Sequence, residues 1–303
     1  MNSEAFQSLQ YADAIDFVID CAHAAGSAKR FDEAVRWFAL CRTMLVARAP
    51  ADQLRARIAS ENRRMRAEAD NARAKFKARS APDARTRVTI IADSLGLPRP
   101  EELSDLDGAL DKTYTGLILA KLAATPQMNG AAMDSHCQRY FTTDDAVALM
   151  MERPEILQDA DVLVHLGLND CVVRMFLEDQ RLACDLLPKP ISEKVVGFAR
   201  VYRAHLVKAN PDHQYVPLTR FRANLARMAE LFRRAGGRTL TFCTAIVVPV
   251  KFWGGTPGVC QNFGAYNQAV YEEAQRYGAR VLDVVRIMWQ HGNLGTLIKD
   301  GMH

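Results

Sequence analysis

Apolar residues recur at three- and four-residue steps twice near the start of the chain. They fall at Ala12, Ile15, Val18, Cys21 and Ala22, then at Phe31, Ala34, Val35, Phe38 and Leu45, with AAGSAKR between the two sets. Such steps place each set on one helix face, so residues 1 to about 48 are expected to form an antiparallel helical hairpin. Pro50 then opens a third helical pattern, in which Leu54, Ile58, Met65, Ala69, Ala72 and Phe76 make a thin stripe among arginines. A short coiled-coil arm, a patch for an acidic partner and a solvated face with a narrow buried seam all fit that pattern. The solvated face is favoured, because no aromatic is interleaved with the basic residues.

The pattern changes after RSAPDARTR at 79–87, a linker by composition. Apolar runs at 87–93, 160–168, 238–249 and 279–285 read as buried strands, and a weaker run at 131–136 as one more. Helical patterns lie between them at 108–124, 191–208, 217–235 and 263–277. Alternating strands and helices with continuous apolar strands imply an α/β fold around a central parallel sheet covered on both faces. The chain is therefore expected to divide into a helical module at 1–80, a hairpin plus a basic helix, and an α/β domain at 86–303. In such domains the chemistry gathers at the carboxyl ends of the strands.

Composition adds limits. A chain of 303 residues with 49% hydrophobic and 24% charged residues is an ordinary globular protein, neither disordered nor membrane-embedded. There is no long uninterrupted apolar run, and the first twenty residues lack a basic region before an apolar core, so a cytoplasmic protein is expected. Cys21, Cys41, Cys137, Cys171, Cys184, Cys243 and Cys260 show no C-x-x-C spacing and read as reduced thiols. Arg42 to Arg79 holds eleven Lys/Arg against four Asp/Glu, a local +7 that leaves −3 for the rest of the +4 chain. Nucleic-acid binding through that stretch ranks low. His136, His165 and His213 show no metal-ligand spacing, and His165, alternating with apolar strand residues, reads as a satisfied core histidine.

Three strand or helix ends carry polar blocks: Ala92-Asp93-Ser94-Leu95-Gly96, Gly167-Leu168-Asn169-Asp170 and Asp300-Gly301-Met302-His303. Singly, each has an ordinary reading as a helix cap, a turn or a chain end. In this order, they resemble the SGNH hydrolases, also called GDSL esterases and lipases. That family has a Gly-Asp-Ser block after the first strand, Gly-x-Asn-Asp after the third, and Asp-x-x-His near the C-terminus. The likeness covers roughly 86–303 and implies a flavodoxin-like three-layer sandwich with a central parallel sheet.

The resemblance implies a serine acyl hydrolase working through an acyl-enzyme. Ser94 would be the nucleophile, which at its free pKa needs a base. His303 would be that base and Asp300 would orient it. Asn169 and the backbone N–H of Ser94 would hold the oxyanion. The family's second block adds a glycine N–H just before a Thr pair. Here Thr142-Thr143 match, but the glycine's place falls on or near Tyr140, a side chain that resists positive φ. Asp93 and Asp170 stand beside the motifs as candidate substrate contacts, Asp170 with loop orientation as its other reading. Arg174 could pair with a substrate carboxylate or phosphate, with surface solvation the favoured reading. WGGTPG at 253–258 lacks a P-loop lysine and reads as a loop wall. No cofactor is implied. The substrate would be a small-molecule or glycan ester, without a membrane, and the N-terminal helices could engage a protein partner. An acyltransferase, or a non-catalytic carbohydrate-binding or assembly protein of the same fold, is the alternative.

Overall fold

The computed structural model describes residues 3–80, 86–99, 102, 105–125, 131–247 and 249–292. The chain forms two compact units. One comprises Met1–Arg64, Val173–Gln214 and Trp253–Gly258, the other Met65–Val172, Tyr215–Phe252 and Val259–His303. The hairpin expected from periodicity is present as α1 (Ser3–Ser27) and α2 (Phe31–Arg48), and α3 (Ala51–Ala78) begins just after Pro50.

In the helical unit, α1 and α2 pack with α8 (Glu178–Cys184), α9 (Lys189–Val201) and α10 (Arg203–Ala209). Ile15, Ile19 and Ala22 of α1 and Phe38, Cys41 and Leu45 of α2 are buried with Leu182, Val195 and Phe198. The Phe38 ring lies 5.3 Å from that of Phe198 and 5.5 Å from that of Phe176. Tyr11 Oη is shared between the carbonyls of Leu45 at 3.1 Å and Ala183 at 3.3 Å. Residues 173–214, which chain order assigns to the α/β segment, thus complete the core under the N-terminal hairpin.

The α/β unit holds a five-stranded, all-parallel sheet: β1 (Arg87–Ala92), β2 (Ala132–Cys137), β3 (Ala160–His165), β4 (Thr239–Cys243) and β5 (Arg280–Leu282). The spatial order β2-β1-β3-β4-β5 is the doubly wound, flavodoxin-like one. Ile90 and Ala92 face a core with Ala72 and Phe76 of α3, Leu110 of α4 (Leu106–Lys112) and Leu119 of α5 (Tyr114–Ala124). Ile91, between them, joins the opposite core, as period-two alternation requires. That core contains Met150 of α6 (Thr143–Glu152), Phe221 of α11 (Leu218–Arg234) and Phe263 and Tyr266 of α12 (Val259–Tyr277). Two short helices, α7 (Leu168–Cys171) and α13 (Val284–His291), follow β3 and β5. The pattern at 108–124 is two helices broken at Thr113, and α6 was not anticipated at all.

Candidate active site

Strand order reverses between β1 and β3, so their carboxyl ends diverge into the crevice where doubly wound sheets bind ligands. Ala92, last in β1, is in register with Cys137 on one side and His165 on the other. Ser94 follows two residues later and opens a 3-10 turn, Ser94–Gly96. Asp93 caps it: its side chain accepts from the Leu95 N–H at 2.9 Å, while Leu97 N–H donates to the Ser94 carbonyl at 3.1 Å. At 0% exposure, Asp93 lies beneath the turn that it caps. Thr115 Oγ1 donates to the Gly96 carbonyl at 3.0 Å, and a Cβ on Gly96 would fall 2.3 Å from Cys137 Sγ. The turn is pinned between α5 and β2, and partly exposed Ser94 sits on it.

After β3, Gly167 adopts φ +119° and turns the chain into α7. Asn169, on α7, donates from Nδ2 to the Phe141 carbonyl at 3.2 Å. The block after β3 is thereby tied to the loop after β2. Asp170 strengthens the tie: its Oδ1 accepts from Thr143 N–H at 2.9 Å and Thr143 Oγ1 at 2.5 Å. Asn224 of α11 donates to Thr143 Oγ1 at 3.0 Å. Thr142 caps α6 in a capping box with Asp145, its Oγ1 donating to Asp145 Oδ2 at 2.7 Å. Tyr140 precedes this cap with φ +58°, the left-handed region that glycine adopts freely and a tyrosine does not.

Asp170 is wholly buried, and burial pushes its pKa up to about 6 although both Thr143 bonds oppose the shift. Among the described residues its Oδ2 has no hydrogen-bond partner. Through its bonds to Thr143, Asp170 ties the loop after β3 to the start of α6. His165 is buried beside Tyr114, ring centroids 5.5 Å apart, and burial pushes its pKa down to about 4. It is a core histidine, but its Nε2 has no partner among the described residues, so it is not the satisfied one expected. Arg174 belongs to the helical unit, where its N–H donates to the His213 carbonyl at 2.8 Å. Asp300 and His303 lie outside the described residues. No group of side chains that could hold a metal occurs among the described residues, and no helix there is long and apolar enough to cross a membrane. Sequence reasoning missed Thr115, Gly96 and Asn224 as supports. Thr142-x-x-Asp145 did carry a legible capping signal.

The chain thus has a doubly wound α/β unit with a serine turn and an asparagine loop at its switch point. No family model matches the sequence, and no curated protein matches it. Among solved structures it is similar to an α/β hydrolase enzyme from the metagenome of Lake Arreo, Spain, at 16% identity and TM-score 0.48, over 73% of this chain and 88% of that one. It is also similar to an acetylxylan esterase from Geobacillus stearothermophilus, at 16% identity and TM-score 0.48, over 73% and 87%. A lipase/acylhydrolase from Enterococcus faecalis is similar at 15% identity and TM-score 0.47, over 72% and 86%.

Proposed function

We propose that the protein is a serine acyl hydrolase of the SGNH type, cleaving an ester through an acyl-enzyme. The observation that carries this reading is the left-handed backbone of Tyr140. A tyrosine keeps the conformation of the family's oxyanion glycine, in a loop that Asn169 binds through the next carbonyl. Strain of this kind costs about 1–3 kcal/mol and persists where the local geometry has a use.

In the proposed reaction His303, oriented by Asp300, takes the Ser94 proton as Oγ attacks the ester carbonyl. The backbone N–H groups of Ser94 and Tyr140 and the Asn169 amide stabilise the resulting oxyanion, each such donor being worth about 2.7–4 kcal/mol of barrier. Collapse expels the alcohol, which receives the proton from His303; water activated by the same histidine then releases the acid. The proposed substrate is an O-acyl or O-acetyl group on a sugar or small metabolite. The seven cysteines are free thiols, which supports a reducing, cytoplasmic setting.

A fluorophosphonate probe tests the reading. Covalent labelling at Ser94 and a burst of p-nitrophenol from its acetate are expected, both abolished in Ser94→Ala. An unlabelled protein whose Ser94→Ala variant matches wild type would remove the enzyme reading.

A further inference from the structure

Positive charge gathers at the end of the α/β unit opposite Ser94. A cavity of about 450 Å³ lies where β4 and β5 begin and where α11 and α12 finish. Arg233 of α11, Arg238 just before β4, Arg276 of α12 and Arg280, first in β5, all line it, together with Thr239 and Tyr277. None of the described residues that line it is acidic. Two of the four guanidinium groups are paired with carboxylates from outside the lining. Arg238 is bound to Asp161 of β3, and Arg276 Nη1 lies 3.1 Å from Glu273 Oε2, a carboxylate that Arg222 also engages at 3.4 Å. The side chains of Arg233 and Arg280 make no hydrogen bond or ion pair with any described residue.

Cations near a helix C-terminus offset the negative end of its dipole, and that role suits Arg233 and Arg276. It does not account for Arg280, which opens a strand. Nor do the helix ends need these side chains for hydrogen bonds: the Phe232 carbonyl accepts from Gly237 N–H at 3.1 Å and the Ala274 carbonyl from Ala279 N–H at 2.9 Å. Like charges around one hollow repel each other, and an anion with two charges relieves them. A guanidinium presents its donors in a planar fork that matches the oxygens of a phosphate. The volume falls within the range of about 300–1,000 Å³ found for small-molecule sites, and Tyr277, 38% exposed, adds an aromatic face for the rest of a ligand. We propose that this cavity binds a small-molecule phosphate ester, whose phosphate is held by Arg233 and Arg280. The site is independent of the chemistry at Ser94, and its failure would leave the acyl-hydrolase reading untouched.

The test is calorimetric titration of the full chain with adenosine 5′-monophosphate, glucose 6-phosphate and inorganic phosphate, with adenosine and glucose as phosphate-free controls, at an ionic strength fixed with sodium chloride. At least one ester is expected to bind at least tenfold more tightly than inorganic phosphate and than its own phosphate-free control. Binding of the adenosine ester alone assigns the ring of Tyr277 to the site and should weaken in Tyr277→Leu; binding of both esters assigns the ester phosphate without the ring. Arg280→Gln should weaken binding at least tenfold, yet without ligand it should unfold no lower than wild type, because a repulsion has been removed. Arg280→Lys keeps the charge without the fork and should bind with intermediate strength; if Arg280→Gln does not fold, Arg233→Gln on α11 decides. No binding of either ester, inorganic phosphate bound as tightly as the esters, or binding unchanged by these substitutions would overturn the proposal.

Discussion

Tyr140 and Asp170 illustrate how much a single position can hide from sequence. Tyr140 is legible as the residue in the glycine's place, but its φ of +58° is a property of the loop that holds it. Glycine occupies that region without steric cost, whereas alanine pays as tyrosine does. Tyr140→Gly should therefore be more stable than Tyr140→Ala by about 1 kcal/mol in urea unfolding, both variants having lost the same ring. Equal stabilities would mean that the backbone relaxes once the ring is gone. Asp170 adds a pH dependence. Its pKa of about 6 stands above the ordinary carboxylate value because it is buried, so the native state holds its proton more tightly than the unfolded chain does. That contribution is fully present below about pH 4 and is lost as pH rises through about 6. Relative to Asp170→Asn, whose amide oxygen still accepts from Thr143, wild-type stability should fall across this window with a slope approaching about 1.4 kcal/mol per pH unit. Parallel stability–pH curves for the two proteins would contradict the assignment.

At the scale of elements, sequence was informative where one rule dominated. The apolar runs of β1, β3 and β4 have one explanation, burial on both faces of a parallel sheet; all three strands form, but β3 ends at His165 and β4 at Cys243, short of the runs expected to 168 and 249. The run at β2 read weakly because Asp134, Ser135 and His136 interrupt it. Its place at the edge of the sheet explains the tolerance: Asp134 there accepts both arms of Arg73 from α3. The helix α6 went unread because its signal lies in the cap, Thr142 to Asp145, more than in apolar periodicity. Contact between elements was not legible at all, and the turn carrying Ser94 depends on one. Gly96 leaves room for Cys137 of β2 and no more, so Gly96→Ala should cost about 1–3 kcal/mol through overpacking. Cys137→Ala removes the sulfur that the new methyl would meet. In the double variant the penalty of the alanine should fall by at least half, a coupling that a double-mutant cycle measures. Additive losses would place the strain elsewhere.

For the whole molecule, the linker composition at 79–87 invites a cut between a helical module and an α/β domain, and the packing argues against it. The hairpin α1–α2 forms its core with α8, α9 and α10, whose sequence lies beyond β3. A contact such as Tyr11 to the Ala183 carbonyl spans 172 residues, a separation no local pattern reports. Removing residues 1–80 would take away Ile15, Ile19, Phe38 and Leu45, leaving Leu182, Val195 and Phe198 in water without their partners. Large apolar side chains exposed in this way cost about 1.5–3 kcal/mol each, and a few of them consume a typical domain's net stability of about 5–15 kcal/mol. A chain beginning at residue 81 is therefore expected to be insoluble, or soluble with exposed apolar surface that binds a hydrophobic dye. Co-expression with residues 1–80 as a separate chain should restore solubility, since the missing surface is supplied without covalent linkage. A soluble, cooperatively unfolding fragment 81–303 that takes the fluorophosphonate label at the wild-type rate would show that α8–α10 stand without the hairpin.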